Sequence, residues 1–323
     1  MKKIAYGQAV REAMLEEMQR DENVIIVGNQ VAPPDGGWGI NKGLVDLFGP
    51  ERVVDMAIAE NASTGLAIGA AFCGARPIVD YQMSDFMAVA YDPIAVHAGK
   101  WNYVAQGKLN GMPLVCRCGI PKAFGPHHSA RIYNIFANSP GLKIVHPTNA
   151  TDAKGLMKSA VRDNNPVLFF ELLDDYAKIQ EIPEEEYTVP IGKAATVEEG
   201  SDLTIVAFGR AVNIAKEALT GLKAAGISAE LIDLRTLVPM DEEAILNSVK
   251  KTRNLLIAEE APRSFSITGE IAFRVQNKLM GILDRPIERC TMEDVTVPTG
   301  PIEDYVLLHP EDIEKACRDM LGK

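Results

Sequence analysis

The sequence predicts an α/β protein of two domains, each built on a mostly parallel sheet flanked by helices. Strand and helix patterns alternate almost throughout the chain, which is typical of such sheets. The length of 323 residues is comfortable for two domains, each with its own core. Between Lys178 and Asp202 the pattern gives way to polar sequence rich in Glu and Pro, which is typical of a domain boundary. We therefore place the domains at residues 1–185 and 186–323.

In the first domain, short apolar runs predict strands, and apolar positions at helical spacing predict helices. Asn61 is expected to cap a helix of small residues that Gly74 ends. Gly and Pro predict a loop over residues 29–39. The predicted elements are helix 6–20, strand 24–27, a strand beginning at Val53, helix 61–74, strand 77–81, a helix beginning near Ser84, strand 113–116, strand 143–146, helix 151–163 and strand 166–171.

The second domain shows the same alternation. Asp241 is expected to cap one of its helices, and Gly226 to end another. The predicted elements are strand 203–208, helix 211–225, strand 229–234, a helix from Asp241 to Lys251 and strand 255–258. A second parallel α/β unit follows from this order.

Composition and charge exclude several classes of protein. The net charge of -11 argues against nucleic acid and anionic membranes as partners. The longest uncharged stretch, residues 61–75, is too short and too rich in small residues to span a bilayer. Cys116 and Cys118 are separated by one residue, which matches neither a thioredoxin pair nor a zinc knuckle. We expect a cytoplasmic enzyme or enzyme subunit with structural thiols.

Glu60 is the residue whose position asks most for an explanation. It follows a short apolar strand and precedes the uncharged residues 61–75. Such a glutamate is either a solvated turn residue or a group held in a dry site. A dinucleotide site at Gly37 and Gly39 is not expected, because position 42 is Lys and the preceding strand ends about ten residues earlier.

Several sequence blocks, spread over nearly the whole chain, resemble one family. The blocks are Ala59-Glu60, Asp85-Phe86, residues 140–143, residues 162–166, residues 233–241, Glu259-Glu260-Ala261 and residues 294–298. Through them the chain is similar to the β subunit of the thiamine-diphosphate-dependent, decarboxylating component of 2-oxoacid dehydrogenase complexes. The resemblance implies a transketolase-like pyrimidine-binding domain followed by a transketolase-like C-terminal domain for subunit and complex assembly.

The resemblance implies roles for four residues of the first domain. Glu60 would be the catalytic acid that hydrogen-bonds the N1′ nitrogen of the thiamine pyrimidine and so favours the tautomer that activates the cofactor. Phe86 and Ile58 would contact the cofactor, although an aromatic at position 86 also suits simple core packing. His128 would stand beside the substrate and an incoming lipoyl group. Outside the family, His127 and His128 suit a surface loop, and two histidines make a weak zinc signal.

A potassium site is also implied by the resemblance. Its oxygen ligands would come from five residues. One lies near the start of the predicted strand 113–116, and four lie around the end of the predicted helix 151–163. An ordinary helix exit before Pro166 explains the same sequence equally well. The implied ligands are Leu114, Ala160, Val161, Asp163 and Asn165.

The chain has no Gly-Asp-Gly sequence, the motif with which thiamine enzymes of this type hold the metal of the diphosphate. The resemblance therefore implies a partner α subunit that binds the diphosphate and Mg²⁺, most simply in an α2β2 heterotetramer. Gly65 and Gly69 would let a partner helix approach closely. A dihydrolipoyl acyltransferase core would be a further partner, and a 2-oxoacid the substrate.

Departures from the family keep several functions open. Asn29 and Gln30 stand where the family usually has two acids. The function expected first is oxidative decarboxylation of pyruvate or a branched-chain 2-oxoacid, with acyl transfer to a lipoyl group. The alternatives are an acetoin dehydrogenase β subunit, the C-terminal half of a split transketolase and a non-catalytic assembly subunit.

Overall fold

The chain divides into two compact units, and both are α/β, as predicted. The first unit comprises residues 1–122 and 127–191, and the second comprises 123–126 and 192–323. No helix among the described residues is long and apolar enough to cross a membrane. The computed structural model describes residues 1–33, 36–108 and 111–323.

The first unit contains eight strands and seven α-helices among its described residues. The strands are β1 (Lys2–Ala5), β2 (Val24–Asn29), β3 (Val53–Met56), β4 (Arg76–Met83), β5 (Leu114–Ile120), β6 (Lys143–Val145), β7 (Pro166–Leu172) and β8 (Ile179–Ile182). The helices are α1 (Tyr6–Arg20), α2 (Leu44–Phe48), α3 (Glu60–Phe72), α4 (Ser84–Met87), α5 (Trp101–Val104), α6 (Tyr133–Ala137) and α7 (Ala150–Arg162).

The main sheet of the first unit has the strand order β6-β7-β5-β4-β2-β3, and all of these pairs are parallel. Its strands β2, β4, β5, β6 and β7 are mostly apolar and mostly buried, as expected for a sheet covered on both faces. β1 and β8 form a separate antiparallel pair. The strands predicted from apolar runs are therefore confirmed, whereas β1 and β8 carry too little apolar sequence to be predicted.

The second unit is built on a smaller sheet of order β14-β13-β10-β11-β9, parallel except for the edge strand β9. The side chain of Asp241 accepts a hydrogen bond from the backbone of Ala244, which confirms the predicted cap of α9. The strands are β9 (Ala195–Glu198), β10 (Leu203–Ala207), β11 (Ala229–Asp233), β12 (Thr236–Val238), β13 (Leu255–Pro262) and β14 (Glu288–Met292). The helices are α8 (Arg210–Ala224), α9 (Glu242–Thr252), α10 (Ile267–Leu279) and α11 (Pro310–Leu321).

The start of α3 differs from the prediction. The helix begins at Glu60 and not after Asn61, and its N-cap residue is Ala59, which provides no side-chain hydrogen bond. The predicted Asn61 cap is therefore wrong, because the N-cap lies two residues earlier, at Ala59. Gly74, with a φ of 99°, follows the end of the helix at Phe72. Glu60 consequently occupies the first helical position.

Two other predicted segments connect the main helices and strands. The polar stretch 178–202 contains β8 and β9, and the boundary between the two compact units falls between residues 191 and 192 of the chain. In the predicted loop 29–39, residues 37–39 form a short 3₁₀ turn. Residues 34 and 35 of that loop lie outside the described residues.

His146 lies in the core of the first unit and is 3 % exposed. Its Nδ1 donates a hydrogen bond to the backbone carbonyl oxygen of Phe170 over 3.0 Å, and its ring packs near those of Tyr133 and Phe170. Burial, followed by the charge of Arg131, lowers the pKa of His146 to about 4 despite the bond to Phe170. The imidazole is therefore neutral in the folded protein at neutral pH.

Acidification should destabilise the first unit through His146. The folded-state pKa lies below the unfolded one, so the stabilisation is complete above the unfolded pKa and is lost as the pH falls towards 4. Between about pH 7 and about pH 5 this group should lower the free energy of unfolding by about 2 kcal/mol. Urea unfolding followed by tryptophan fluorescence would measure it, since Trp38 and Trp101 both belong to this unit.

The matched variants for this prediction are His146→Gln and His97→Gln. The first should flatten the pH dependence of unfolding, whereas the second should leave it unchanged, because His97 is exposed at the surface. Equal pH dependence of unfolding in the wild type and His146→Gln would contradict the assignment of this loss of stability to His146.

Candidate active site

A small cleft lies at the carboxyl ends of β2, β3 and β4. From β2 the chain continues to β3 on one side and then returns to β4 on the other side of β2. Open α/β sheets bind ligands at such a divergence of their connections. The cleft is lined by Asn29, Ala57, Ala59, Glu60, Ser63, Asp80, Tyr81, Gln82 and Phe86.

Glu60 reaches the cleft from the first turn of α3, and its side chain is half-buried. Its backbone carbonyl oxygen accepts hydrogen bonds from Ser63 Oγ at 3.0 Å and Thr64 Oγ1 at 2.6 Å. The backbone of Glu60 is thus held in place while the carboxylate is left facing the cleft. Glu60 therefore lines the cleft without being fully buried, and its role as the catalytic acid stays a prediction.

The end of β4 has an irregular backbone beside the cleft. The register with β5 shifts between Asp80 and Met83, and Gln82 adopts a positive φ of 62°. This conformation is held by the backbone N–H of Gln82, which donates to Asp80 Oδ1 at 2.9 Å, and by its side-chain amide, which donates to the carbonyl of Asn29 at 2.8 Å. Bulges and positive φ values of this kind concentrate at functional sites.

Gly28 allows β2 to approach β4 closely at the same level. It pairs with Asp80, and a Cβ atom at position 28 would lie 2.7 Å from the backbone oxygen of Asp80. Any larger residue at position 28 would therefore push apart the two strands that form the wall of the cleft.

A buried charge network underlies the cleft. Arg117 on β5 donates through Nε and Nη2 to both carboxylate oxygens of Glu171 on β7, at 2.7 and 3.0 Å. Its Nη1 pairs with Asp80, which also accepts from Asn41 Nδ2 at 2.6 Å. The Tyr176 hydroxyl donates to Glu171 at 2.6 Å. Three neighbouring strands are thereby tied together at their carboxyl ends, and Asp80 is fixed in the cleft wall.

The charges of this network explain why Arg117 stays protonated. Arg117 is 2 % exposed and Glu171 is fully buried, so neither ion is stabilised by water. Burial opposes the charge on Arg117, but the attraction of Asp80 and then Glu171 outweighs it and holds the pKa of Arg117 well above its usual range. The guanidinium is therefore permanently charged, and two carboxylates face it.

Phe86 and His128 lie together in the structure. Their rings meet edge to face with centroids 5.5 Å apart. The loop of His128 is fastened to α4, the helix of Phe86. Ser84 Oγ donates to the carbonyl oxygen of Ala130 at 2.5 Å, and the N–H of Ala130 donates to Asp85 at 3.0 Å. The structure thus brings Glu60 and Phe86 into one cleft, with His128 against the ring of Phe86.

Ile58 and His127 are not part of this group. Ile58 is 74 % exposed and does not line the cleft, although the resemblance implied a cofactor contact. His127 is exposed in its loop. No three His, Cys, Asp or Glu side chains within residues 1–33, 36–108 and 111–323 are grouped to hold a metal ion.

The residues implied for potassium lie close together in the structure. The backbone of Met112, two residues before Leu114, donates to the carbonyl oxygen of Asn164 at 2.7 Å. The carbonyl oxygens of Val161 and Asp163 accept from the Arg76 guanidinium at 2.8 and 2.7 Å. These carbonyls already serve a cationic group, and potassium binding by Leu114, Ala160, Val161, Asp163 and Asn165 stays a prediction.

Sequence reasoning missed the residues that support the site from below. Arg117 carried a signal, because an arginine within the otherwise apolar run of β5 requires buried partners. The partners themselves, Asp80 and Glu171, are distant in sequence and become neighbours only through the register of the sheet. Thr64 and Tyr81 carried no signal, since both residue types are common in helices and strands.

Comparison with known families agrees with the two-unit architecture. The family described as transketolase, pyrimidine binding domain, matches residues 2–177, and the family described as transketolase, C-terminal domain, matches residues 192–313. A split-gene transketolase, solved as an inactive β4 tetramer, superimposes with a TM-score of 0.81 and 22% identity, covering 99% of this chain and 98% of that one. Fold and cleft therefore define a transketolase-type α/β protein.

Similar sequences narrow this class. The chain is 39% identical to the acetoin:2,6-dichlorophenolindophenol oxidoreductase subunit beta of Bacillus subtilis, over 99% of this chain and 98% of that one. It is 40% identical to the 2-oxoisovalerate dehydrogenase subunit beta of the same organism, over 99% of both. It is 39% identical to the pyruvate dehydrogenase E1 component subunit beta of Porphyra purpurea, over 100% and 98%. The chain belongs to this family of dehydrogenase β subunits.

Proposed function

We propose that this chain is the β subunit of a thiamine-diphosphate-dependent dehydrogenase component that is active with an α subunit. The observation that carries the proposal is the cleft at the carboxyl ends of β2 to β4, which combines Glu60 and Phe86 in a pyrimidine-binding type of domain. The reaction would be oxidative decarboxylation of pyruvate or a branched-chain 2-oxoacid, with transfer of the acyl group to a lipoyl group.

The cleft residues fit a flat aminopyrimidine ring. Phe86 offers an aromatic wall, Glu60 offers a carboxylate to a ring nitrogen, and the carbonyl of Asn29 and side chain of Gln82 add uncharged polar groups. When bound, thiamine diphosphate supplies a nucleophilic carbon and an electron sink for decarboxylation. The chain's own contribution is to orient the pyrimidine half and to control its protons.

Glu60 and His128 divide the proton chemistry in this proposal. Glu60 would share a proton with the ring nitrogen, and the hydrogen bonds to its backbone carbonyl hold the start of α3, from which the carboxylate extends. His128 donates a proton to the substrate oxygen, with its ring oriented by the edge-to-face contact with Phe86. The hydrogen bonds of Ser84 and Asp85 with the backbone of Ala130 limit the movement of the His128 loop.

The α subunit would complete the site. The sequence lacks a Gly-Asp-Gly motif, so the diphosphate and Mg²⁺ would be bound by the partner. The outer face of α3 exposes Leu66 and Phe72, and a side chain at Gly65 or Gly69 would meet nothing within 4 Å. An apolar face with small residues suits close contact with another helix. We propose this face as part of the α-subunit interface of an α2β2 heterotetramer.

Acetoin is the second candidate substrate. The relative named for acetoin oxidation is as similar to this chain as the relatives named for 2-oxoacids. A 2-oxoacid dehydrogenase would also bind a dihydrolipoyl acyltransferase core, for which the second unit is the candidate surface. Turnover assays with pyruvate, branched-chain 2-oxoacids and acetoin would distinguish these substrates.

Calorimetric titration with thiamine diphosphate and Mg²⁺ tests the shared site. We expect binding to the chain co-purified with its α subunit and no measurable binding to the chain alone, because this chain provides only the pyrimidine half. Tight binding to the chain alone would contradict a shared site. The absence of binding to the co-purified complex would favour a non-catalytic assembly subunit.

A further inference from the structure

Two buried hydroxyl groups lie next to each other beneath Glu60. Thr64 on α3 is fully buried and Tyr81 on β4 is 2 % exposed. Thr64 Oγ1 and the Tyr81 hydroxyl oxygen are 2.5 Å apart, and the Tyr81 oxygen lies 3.7 Å from the sulfur of Cys116. Burial and the neighbouring Cys116 raise the pKa of Tyr81 well above its usual range, so its hydroxyl keeps its proton.

The direction of the hydrogen bonds follows from the number of protons. Thr64 has a single hydroxyl proton, and its oxygen lies 2.6 Å from the backbone carbonyl oxygen of Glu60. A carbonyl can only accept, so Thr64 donates to Glu60. Tyr81 has one proton for Thr64 at 2.5 Å and the Cys116 sulfur at 3.7 Å, and the shorter contact assigns that proton to Thr64. The result is an ordered pair of bonds from strand β4 through Thr64 to the residue that faces the cleft.

The first turn of α3 needs such a support. Ala59, at the N-cap, provides no side-chain hydrogen bond, and uncapped helix ends open easily. Glu60 is the first helical residue, so opening of this turn would move its carboxylate directly. Ser63 Oγ also reaches the Glu60 carbonyl, at 3.0 Å, but only Thr64 is linked to β4.

We propose that Thr64 and Tyr81 are positioning residues that fix Glu60 relative to β4. β4 carries Asp80 and Gln82, so the hydroxyl pair joins two walls of the cleft. This inference rests on the proposed function for the meaning of Glu60, but the coupling itself is a property of this chain. Reacting groups must be held within a fraction of an ångström of their working positions. A link that fixes Glu60 relative to β4 would keep its carboxylate in place for the reaction.

Hydrogen–deuterium exchange of the full chain tests the coupling without cofactor. Thr64→Val keeps the side-chain shape and removes the hydroxyl, and Tyr81→Phe removes the other partner. Each should make the backbone amide of Ser63, which closes the first turn of α3 by donating to the Ala59 carbonyl, exchange about fivefold faster, which is the effect expected for one hydrogen bond. Thr64→Ser, which retains the hydroxyl, should exchange within about twofold of the wild type.

Turnover of the complex assembled with the α subunit tests the positioning role. Thr64→Val and Tyr81→Phe should lower kcat about tenfold with little change in KM, because displaced reacting groups slow the chemical step. Thr64→Ser should restore kcat. Unchanged exchange in both Thr64→Val and Tyr81→Phe would overturn the coupling, and faster exchange with normal kcat would overturn the positioning role.

The same experiments separate this inference from the proposed function. If Glu60→Gln retained full turnover, the role of Glu60 would be wrong whatever the exchange data showed. If Glu60→Gln were inactive while Thr64→Val and Tyr81→Phe behaved as wild type in both assays, only the positioning proposal would fail. Because two different side chains are removed separately, loss of folding in one variant leaves the other as the test.

Discussion

Glu60→Gln is expected to lower the turnover of the assembled enzyme by at least about 100-fold, because an amide cannot share a proton with a ring nitrogen. The substitution keeps the size of a half-buried side chain at the first position of α3. Its backbone carbonyl would keep its bonds from Ser63 and Thr64. The effect should therefore fall on kcat and not on folding.

Steady-state kinetics of the complex with its α subunit would measure this effect. Glu51→Gln is the matched control, since Glu51 is exposed in the turn before β3 and does not line the cleft. It should behave as the wild type. Turnover of Glu60→Gln within about threefold of the control would exclude a general-acid role for Glu60.

The parts of the fold that could be predicted are those with a strong local pattern. β2 and β7 each contain an unbroken apolar run that is typical of a buried strand. Asp241 stands directly before a helix, where an acidic residue is a favoured cap. The start of α3 could not be predicted, because Asn61 is a good cap by residue type, whereas the extended Ala59 fixes the actual entry into the helix. Local preference is weak compared with the packing that sets such an end.

The candidate site was predictable where one residue type suits one task. The sequence indicated Glu60 by its isolation among uncharged neighbours, and the resemblance added Phe86 and His128, which lie in ring contact. Ile58 is exposed and does not line the cleft, although its neighbours Ala57 and Ala59 do. The contact of Thr64 with Tyr81 depends on the packing of a helix on a strand, which no local pattern specifies.

Asn29 and Gln30, which follow Gly28, carry amides where the family usually has two acids. The Asn29 carbonyl is bound by Gln82, and Gln30 adopts a positive φ of 55°. Asn29 therefore takes part in holding the bulge of β4, and the remaining carboxylates of the cleft are Glu60 and Asp80.

Arg117→Met should produce the largest loss of stability, about 3–5 kcal/mol, because it leaves two buried carboxylates without their cation. Glu171 is fully buried and Asp80 nearly so, and neither can turn towards water without opening the sheet. Urea unfolding followed by tryptophan fluorescence reports on this unit, since both tryptophans belong to it. A loss below about 1 kcal/mol would mean that the pair behaves like a solvated surface ion pair.

The cause of the loss can be separated from the loss of packing by removing the charges. In Arg117→Met combined with Asp80→Asn and Glu171→Gln no ion of this network remains, so at least about half of the lost stability should return. Arg117→Lys should fall between these variants, because an ammonium keeps the charge but cannot donate in parallel to both oxygens of Glu171. If the triple variant were no more stable than Arg117→Met, the guanidinium would stabilise the sheet by filling space, and its charge would be incidental.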